Sequence, residues 1–328
     1  MPHCKIARRL ARRLINRLNL PALNEKVTMG LRKTMILGVR FIKPYPVYLN
    51  LNEEQWEAKL QRSRELASPC VLCGRRCQAL RFESPANTDS TTQPAKGVCE
   101  TRDRAVVSSV GPHFGEEPPL VGRRGSGTIF FAGCNLKCIF CQNHDIAHYH
   151  RGQEVSDEEL AQLMLRVQEL GCHNVNLVSP THMVPNILAA VRIAAQRGLR
   201  IPLVYNTGGY DSLETIELLE GVVDIYMPDM KYGDPGPARD FSKTADYPEI
   251  SFAAVKEMHR QVGDLVIGKN NVAVRGLLVR HLVLPRGLAG TKKVMEFIAN
   301  HISKDTYVNI MAQYRPCYKA GNRRTELD

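Results

Sequence analysis

The chain contains 328 residues, 44% of them hydrophobic, which is enough to bury a sizeable core. No apolar run approaches the roughly 18 residues of a membrane span, so the composition excludes a transmembrane protein. It also excludes a disordered or a collagen-like chain. The formal net charge is +11, but residues 1–52 alone contribute +10 through eleven Lys and Arg side chains and one Glu. Because the rest of the chain is nearly neutral, we expect no nucleic-acid partner.

A basic arm is predicted over residues 1–62. Ile6, Leu10, Leu14 and Leu18 recur every four residues among arginines, which predicts a basic amphipathic helix. Such a helix can lie on an anionic membrane surface. A solvated helix that packs on the body is the simpler interpretation, so we do not expect this arm to contact a membrane.

A cysteine-rich segment is predicted over residues 63–110. It carries four of the ten cysteines, with C-x2-C-x3-C spacing and a fourth member 22 positions later: Cys70, Cys73, Cys77 and Cys99. No secretory signal opens the sequence, so we expect a cytoplasmic protein whose clustered cysteines are reduced thiolate ligands. Four thiolates would close a metal site, either structural zinc or a second [4Fe–4S] cluster, and spacing does not separate these. Four unrelated buried thiols are the alternative, and isolated cysteines such as Cys172 are expected to be free.

The core is predicted over residues 111–328, where β-rich runs alternate with helical ones. The six predicted strands cover residues 128–132, 174–178, 202–205, 222–227, 276–284 and 307–311. A capping box, Ser156-x-x-Glu159, opens one of the intervening helices, whereas residues 233–248 are predicted to be a Pro/Gly loop before a helix at 252–262. Strands separated by helices require parallel crossovers, so the fold class is α/β, with fewer units than an eight-unit barrel. Functional residues are expected at the carboxyl ends of the strands.

The first of these strands leads into a loop with C-x3-C-x2-C spacing. Cys134, Cys138 and Cys141 suit one iron–sulfur cluster, because such clusters prefer soft thiolate ligands. A [4Fe–4S] cluster needs four ligands, so one iron would stay open, and an open position marks a catalytic metal site. A zinc knuckle completed by His144 is the alternative.

With Phe140 before its last cysteine, this loop resembles that of the radical S-adenosylmethionine (SAM) superfamily. The resemblance implies a partial (β/α)6 barrel and a [4Fe–4S] cluster on Cys134, Cys138 and Cys141. It also implies that SAM chelates the fourth iron and that its adenine lies against Phe140. One electron from the cluster would then cleave SAM to a 5′-deoxyadenosyl radical, which abstracts hydrogen from another molecule.

Further motifs narrow the resemblance to the pyruvate formate-lyase activating enzyme-like branch. They occupy residues 126–136, 205–210, 224–232, 280–285 and 311–316. This resemblance implies a glycyl-radical enzyme as protein substrate and ferredoxin or flavodoxin as reductant. A non-catalytic iron–sulfur protein of electron transfer or regulation is the alternative function.

Four polar residues at strand ends are expected to bind SAM. Asn206 can hold ribose hydroxyls, and Asp229 can accept from them or from the SAM ammonium. Lys231 can pair with the SAM carboxylate, and the resemblance to the activating enzymes supports this role for the Asp-x-Lys pair. Arg280 lies in an apolar strand, where it needs either a bound carboxylate or a structural salt bridge.

The second predicted strand departs from the superfamily pattern. Many radical SAM proteins place Gly-Gly-Glu there to hold the SAM amino group, whereas this chain has Ser179-Pro180-Thr181-His182. Either the branch holds the amino group differently, or Thr181 and His182 face the substrate.

Overall fold

Nine strands form one sheet in the computed structural model, which describes residues 46–82, 95–268, 270–321 and 327. The strands are β1 (Ala105–His113), β2 (Ser126–Phe131), β3 (Gln153–Val155), β4 (Val175–Val178), β5 (Leu203–Thr207), β6 (Ile225–Pro228), β7 (Val266–Ile267), β8 (Ala273–Leu282) and β9 (Tyr307–Met311). Their order is β3-β1-β2-β4-β5-β6-β8, and β8 then pairs with both β7 and β9.

Six of these strands are mutually parallel neighbours. The pairs β2–β4, β4–β5, β5–β6, β6–β8 and β8–β9 all run parallel, and these are the six strands predicted from the sequence. The predicted α/β fold with a partial (β/α)6 barrel is therefore confirmed. The antiparallel strands β1, β3 and β7 were not predicted, and they extend the sheet beyond the parallel core.

Helices connect the parallel strands. The α-helices are α1 (Glu53–Ala67), α2 (Pro118–Val121), α3 (His144–Ala147), α4 (Asp157–Glu169), α5 (Val184–Gln196), α6 (Leu213–Leu218), α7 (Pro235–Ser242), α8 (Tyr247–Val262) and α9 (Thr291–Phe297). The predicted capping box is present at the start of α4, where Ser156 and Glu159 each bond the other's backbone. Over the described residues, no helix is long and apolar enough to cross a membrane.

The loop predicted over residues 233–248 is wrong in its centre. Helix α7 occupies Pro235–Ser242, and α8 begins at Tyr247 rather than at residue 252. Both helices have proline in the first turn, where its fixed φ suits a helix and its missing N–H costs no bond. The prolines and glycines therefore mark the starts of helices here.

The predicted arm over residues 1–62 is too long. Tyr48 and Trp56 are buried in the main core, and the Tyr48 hydroxyl donates to the Ile201 carbonyl at 2.9 Å. Helix α1 is also held by ion pairs from Arg192 to Glu53 and Glu57. Residues 47–62 thus belong to the folded body, because the apolar area that they bury outweighs the charge of the preceding sequence. The predicted amphipathic helix around residues 6–18 lies outside the described residues.

The predicted boundary at residue 110 does not separate two domains. Strand β1 crosses it and pairs with β2 over residues 107–113. Residues 43–328 form one compact unit, so the cysteine-rich segment and the parallel core are parts of the same body.

The sheet separates an outer core from an inner one. On β5, Leu203 and Tyr205 pack in the outer core with the helices, whereas Val204 packs in an inner core with Ile225 and Met227. Alternate side chains of a strand face opposite sides. Asn206, two residues after Val204, therefore faces the interior of the partial barrel.

Candidate active site

The loop after β2 presents three thiols to one cavity. Cys134, Cys138 and Cys141 line a cavity of about 250 Å³ at the carboxyl ends of the parallel strands. The loop begins at Gly133, whose φ is +83°. A Cβ at Gly133 would lie 2.6 Å from the Cys99 carbonyl oxygen, so only glycine allows this close approach.

Neighbouring elements hold the loop in place. The Ser242 hydroxyl donates to the Cys138 sulfur at 3.0 Å, and a ring nitrogen of His148 lies 3.0 Å from the Cys138 carbonyl oxygen. Arg75, from the cysteine-rich segment, donates to the carbonyls of Asn135 and Leu136 at 2.8 and 2.9 Å. The thiols are thus positioned by hydrogen bonds from three separate parts of the chain.

Two thiols of this loop, those of Cys138 and Cys141, are neutral without a metal. Burial raises the pKa of Cys138, although the Lys231 charge opposes the shift. Burial and the neighbouring cysteines raise the pKa of Cys141 to about 12. A metal's positive charge reverses this preference, because coordination deprotonates a thiol outright. The thiols are therefore suited to ligate a cation.

An ion-pair network faces the same cavity. Asp229, one residue after β6, accepts from Lys231 Nζ at 2.6 Å and from Arg280 Nε at 2.8 Å. Arg280 also donates to the Asn206 Oδ1 atom at 2.8 Å and lies 3.6 Å from Glu116. Arg280 thus has structural ion-pair partners, which is one of the two readings left open by the sequence.

The charges of this network stabilise one another. Burial alone raises the pKa of Asp229, but Arg280 and Lys231 outweigh it and hold that pKa below its ordinary value. Burial likewise lowers the pKa of Lys231, and Asp229 reverses the shift so that the pKa is raised overall. Asp229 and Lys231 are therefore both charged at neutral pH.

The structure brings the predicted core site together. Phe140, Asn206, Asp229, Lys231 and Arg280 all line the cavity that the three cysteines line. Phe140 is buried and contacts Tyr232 and Tyr314 edge to face. Residues from four parallel strands or the loops after them (β2, β5, β6 and β8) thus converge at one edge of the sheet, as the α/β topology predicts.

The chain matches a known protein family and one protein of similar sequence. The family model for the radical SAM superfamily matches residues 128–276, which include the three cysteines and the Asp229–Lys231 pair. The chain is also 31% identical over 274 residues to Uncharacterized protein MJ0674 of Methanocaldococcus jannaschii, covering 80% of this chain and 71% of that protein. The chain belongs to the radical SAM superfamily. It is therefore a radical SAM enzyme, a class that uses a [4Fe–4S] cluster and SAM.

Two solved structures with bound AdoMet are similar to this chain at lower identity. Native anSMEcpe with bound AdoMet and the Cp18Cys peptide is 14% identical, with a TM-score of 0.38, over 57% of this chain and 50% of that one. Native anSMEcpe with bound AdoMet is also 14% identical, with a TM-score of 0.36, over 55% and 49%. The chain thus matches about half the length of these structures.

The residues of the cavity fit both cofactors of the superfamily. Three thiols would leave one iron of a [4Fe–4S] cluster without a protein ligand, and that open position would face the cavity. His144, the fourth ligand of the zinc alternative, instead stacks on Tyr318 with 5.3 Å between ring centroids.

Of the two alternatives for the segment after β4, the structure disfavours the one in which Thr181 and His182 face the substrate. Thr181 donates to Asp211 at 2.7 Å, and a ring nitrogen of His182 lies 2.9 Å from the Ala132 carbonyl oxygen. Burial lowers the pKa of His182 to about 3, so its ring is neutral. A short 3-10 turn at Thr181–Met183 directs both side chains away from the cavity, and Ser179 lines it instead.

Two residues of the site, Ser179 and Glu116, were not predicted from the sequence. Ser179 has a φ of +57°, an uncommon conformation for serine, and lies at the cavity wall. Glu116 comes from the segment before α2 and reaches Arg280 from outside the parallel strands. The break after β4 at Pro180 was a signal for the first residue, but no local pattern marks the second.

The second cysteine set also converges. Cys70, Cys73, Cys77 and Cys99 all line one small cavity beside the cluster loop. Burial raises the pKa of the Cys70 thiol and raises that of Cys73 further. The four side chains are thus neighbours in space, although residues 77 and 99 are far apart in sequence.

Proposed function

We propose that this enzyme cleaves SAM in the described cavity and takes a hydrogen atom from a backbone glycine of a glycyl-radical enzyme. The observation that carries the proposal is the common cavity of the three thiols and the Asp229–Lys231–Arg280 network. With both cofactors bound and the cluster reduced, the chemistry supplied is a 5′-deoxyadenosyl radical.

The protein's own residues bind and orient SAM. The Lys231 charge acts on Cys138 and on Asp229, so this cation lies between the cluster loop and the carboxylate. In that position Lys231 can pair with the SAM carboxylate. Asp229 and Asn206 present oxygens suited to the SAM ammonium and ribose hydroxyls. Arg280 binds both oxygen-bearing side chains and keeps them in place.

An incompletely closed barrel suits a polypeptide substrate. Among the described strands, β9 pairs only with β8, so no ladder joins β9 to β2. A side-chain bond from Asn309 to Glu117 at 3.0 Å lies beside Arg280, which is the register partner of Asn309 on β8. Met311 and Gln313, at the upper end of β9, line the cavity. An extended glycine-containing segment can enter at this edge.

Cleavage of SAM would require an electron donor and a reducing compartment. We propose ferredoxin or flavodoxin as the electron donor and the cytoplasm as the compartment, because exposed thiolate clusters are maintained under reducing conditions. The resemblance to activating enzymes supports the choice of electron donor.

The first test measures SAM cleavage. The anaerobically reconstituted and reduced protein is incubated with SAM, and 5′-deoxyadenosine is quantified by chromatography. Production that depends on Cys138 supports the enzyme. An intact cluster with no cleavage would instead favour the non-catalytic electron-transfer or regulatory protein.

The second test concerns the glycyl target. A glycyl-radical enzyme encoded near this protein's gene is added, and its radical is sought by electron paramagnetic resonance. Its Gly→Ala variant is the matched control. Cleavage of SAM without a glycyl radical on the candidate would keep the enzyme class and reject this substrate.

A further inference from the structure

The small cavity beside the cluster loop is lined by four thiols and by basic side chains. Its lining includes Cys70, Cys73, Cys77 and Cys99, together with two arginines and one histidine, and no carboxylate among the described residues. A Cβ at Gly97 would lie 3.3 Å from the sulfurs of both Cys77 and Cys99. The backbone at Gly97 therefore approaches these two sulfurs closely.

Arg81 is the unusual member of this lining. Its side chain is 0% exposed, and its Nε and Nη2 atoms donate to the Arg102 carbonyl at 3.1 and 2.8 Å. Its Nη1 atom is buried and has no hydrogen-bond partner in the described part of the chain. Carrying a guanidinium charge into the interior costs free energy unless an opposite charge accompanies it.

The other basic residues of the lining cannot supply the negative charge that would balance the buried Arg81. Arg75 already donates to the carbonyls of Asn135, Leu136 and Ser242. His182 also lines the cavity, and its Nε2 atom lies 2.9 Å from the Ala132 carbonyl oxygen. The remaining groups that can become negative are the four thiols, and they do so when they ligate a metal.

We infer that Cys70, Cys73, Cys77 and Cys99 hold a second, tetrathiolate metal centre whose negative charge is balanced by the buried Arg81. A zinc ion and a [4Fe–4S] cluster both leave such a centre dianionic, so the two metals share this requirement. Each cysteine of a cubane cluster binds its own iron, whereas all ligands of zinc meet at one ion. Metal analysis of the purified protein distinguishes the two.

The inferred centre is joined to the radical SAM site. Arg75 lies between Cys73 and Cys77 in sequence and donates to the cluster loop. Glu100, which follows Cys99, pairs at 2.9 Å with Lys137 in that loop. The second centre thus stabilises the loop that carries Cys134 and Cys138, and its existence does not depend on the proposed substrate.

The experiment isolates the second centre by removing the first. Cys134, Cys138 and Cys141 are replaced by Ala in the full chain, which is purified without oxygen and analysed for iron and zinc. We expect the variant to retain metal, and further Cys73→Ser and Cys99→Ser changes to remove it. Cys172→Ser, at a buried cysteine outside both sets, is the matched control and should retain the metal. Bound iron or bound zinc supports the centre and identifies its metal, whereas absence of both overturns the inference.

The same conclusion is checked with the SAM cluster intact, in case the triple variant does not fold. Cys73→Ser with Cys99→Ser should lower the total metal content while the cluster signal in electron paramagnetic resonance persists. An unchanged metal content in this folded variant overturns the inference. Failure of SAM cleavage alone would not, because neither measurement uses it.

Substitution of Arg81 distinguishes a counter-ion of the metal centre from a residue that only fills space in the core. Arg81→Met should speed metal loss to a chelator by about 10- to 100-fold, the range for groups that support metal ligands, and Arg81→Lys should restore part of the retention. In metal-free protein the same Arg81→Met change should be neutral or stabilising, because it removes an unbalanced buried charge. Equal destabilisation of both forms would mean that Arg81 is only a packing residue and would overturn its role as counter-ion.

Discussion

At the scale of single residues, the site depends on charges that are neutralised inside the protein. Asp229 is 16% exposed at its side chain and lies between Lys231 and Arg280, which are 19% and 17% exposed. Each cation is supplied by a different position in the sequence, yet their distances to Asp229 are those of charge-assisted hydrogen bonds. Removal of the carboxylate would leave two cations without their shared partner.

The cluster loop gives the first prediction. Cys138→Ala removes one of three ligands, none of which is spare, so SAM cleavage should fall to the background of protein without cluster. The amount of 5′-deoxyadenosine after anaerobic reconstitution checks this. Cys172→Ala is the control, because Cys172 is buried in the outer core and should leave cleavage intact. Full activity of Cys138→Ala would disprove the ligand assignment.

The second prediction concerns the network. Asp229→Asn should weaken SAM binding and destabilise the fold by about 3 kcal/mol, the lower part of the range for breaking a buried ion pair. Equilibrium dialysis with SAM and urea denaturation measure the two effects. Asp145→Asn is the control, because its pair with Arg151 is largely exposed and should be worth under about 1 kcal/mol. Equal effects of the two variants would show that the network has no special role.

At the scale of elements, one buried carboxylate joins the segment before α1 to the sheet. Asp224 lies just before β6 and accepts from the backbone N–H groups of Val47 at 2.8 Å and Leu203 at 3.0 Å. Burial raises its pKa to about 7, and these two hydrogen bonds oppose the shift only in part. The attachment of residues 47–67 to the body is therefore sensitive to the charge of this group.

A pH dependence of stability follows. The unfolded chain releases the Asp224 proton near pH 4, and the folded chain releases it near pH 7, so the folded state holds the extra proton between these values. The contribution of this group to the free energy of unfolding should thus fall by a few kcal/mol as pH rises from 4 to 7, and level off above.

Denaturation of wild type and Asp224→Asn across this range measures the effect, because the variant should lack that part of the slope. Asp240→Asn, at an exposed site in α7, should keep the wild-type slope. Parallel pH profiles for wild type and Asp224→Asn would contradict the prediction.

At the scale of the whole molecule, positive charge is concentrated at one end of the sequence. Residues 1–42 carry ten Lys and Arg side chains and one Glu, so they supply nine of the eleven net positive charges. The compact unit begins at residue 43, and the buried Tyr48 belongs to it. A deletion of residues 1–42 therefore removes nine net positive charges and leaves the sequence of the compact unit unchanged.

Deletion of residues 1–42 should leave the melting temperature and SAM cleavage unchanged. It should reduce retention on anionic matrices, because ionic binding scales with the number of cations and weakens with salt. Elution from heparin and binding to anionic vesicles measure this, with the full-length protein as reference. Retention that is unchanged by the deletion would place the binding surface on the body.

The cysteine loop and the repeated βα units were predictable from local spacing in the sequence. The three ligands at 134, 138 and 141 lie within one loop, and the βα alternation repeats every few tens of residues, so both are visible without tertiary contacts. The positions of Asn206, Asp229 and Lys231 were also predictable, because they follow strands whose carboxyl ends share one edge of the sheet.

The contacts among the site residues are visible only in the tertiary structure. The Arg280 bonds to Asp229 and Asn206 span 51 and 74 residues, and Glu116 reaches Arg280 from a segment with no motif. The direction of Thr181, the docking of Tyr48 and the burial of Arg81 were likewise invisible in the sequence. Such contacts depend on strand register and on how loops pack over the sheet, and these are set by burial of the whole chain rather than by any local pattern.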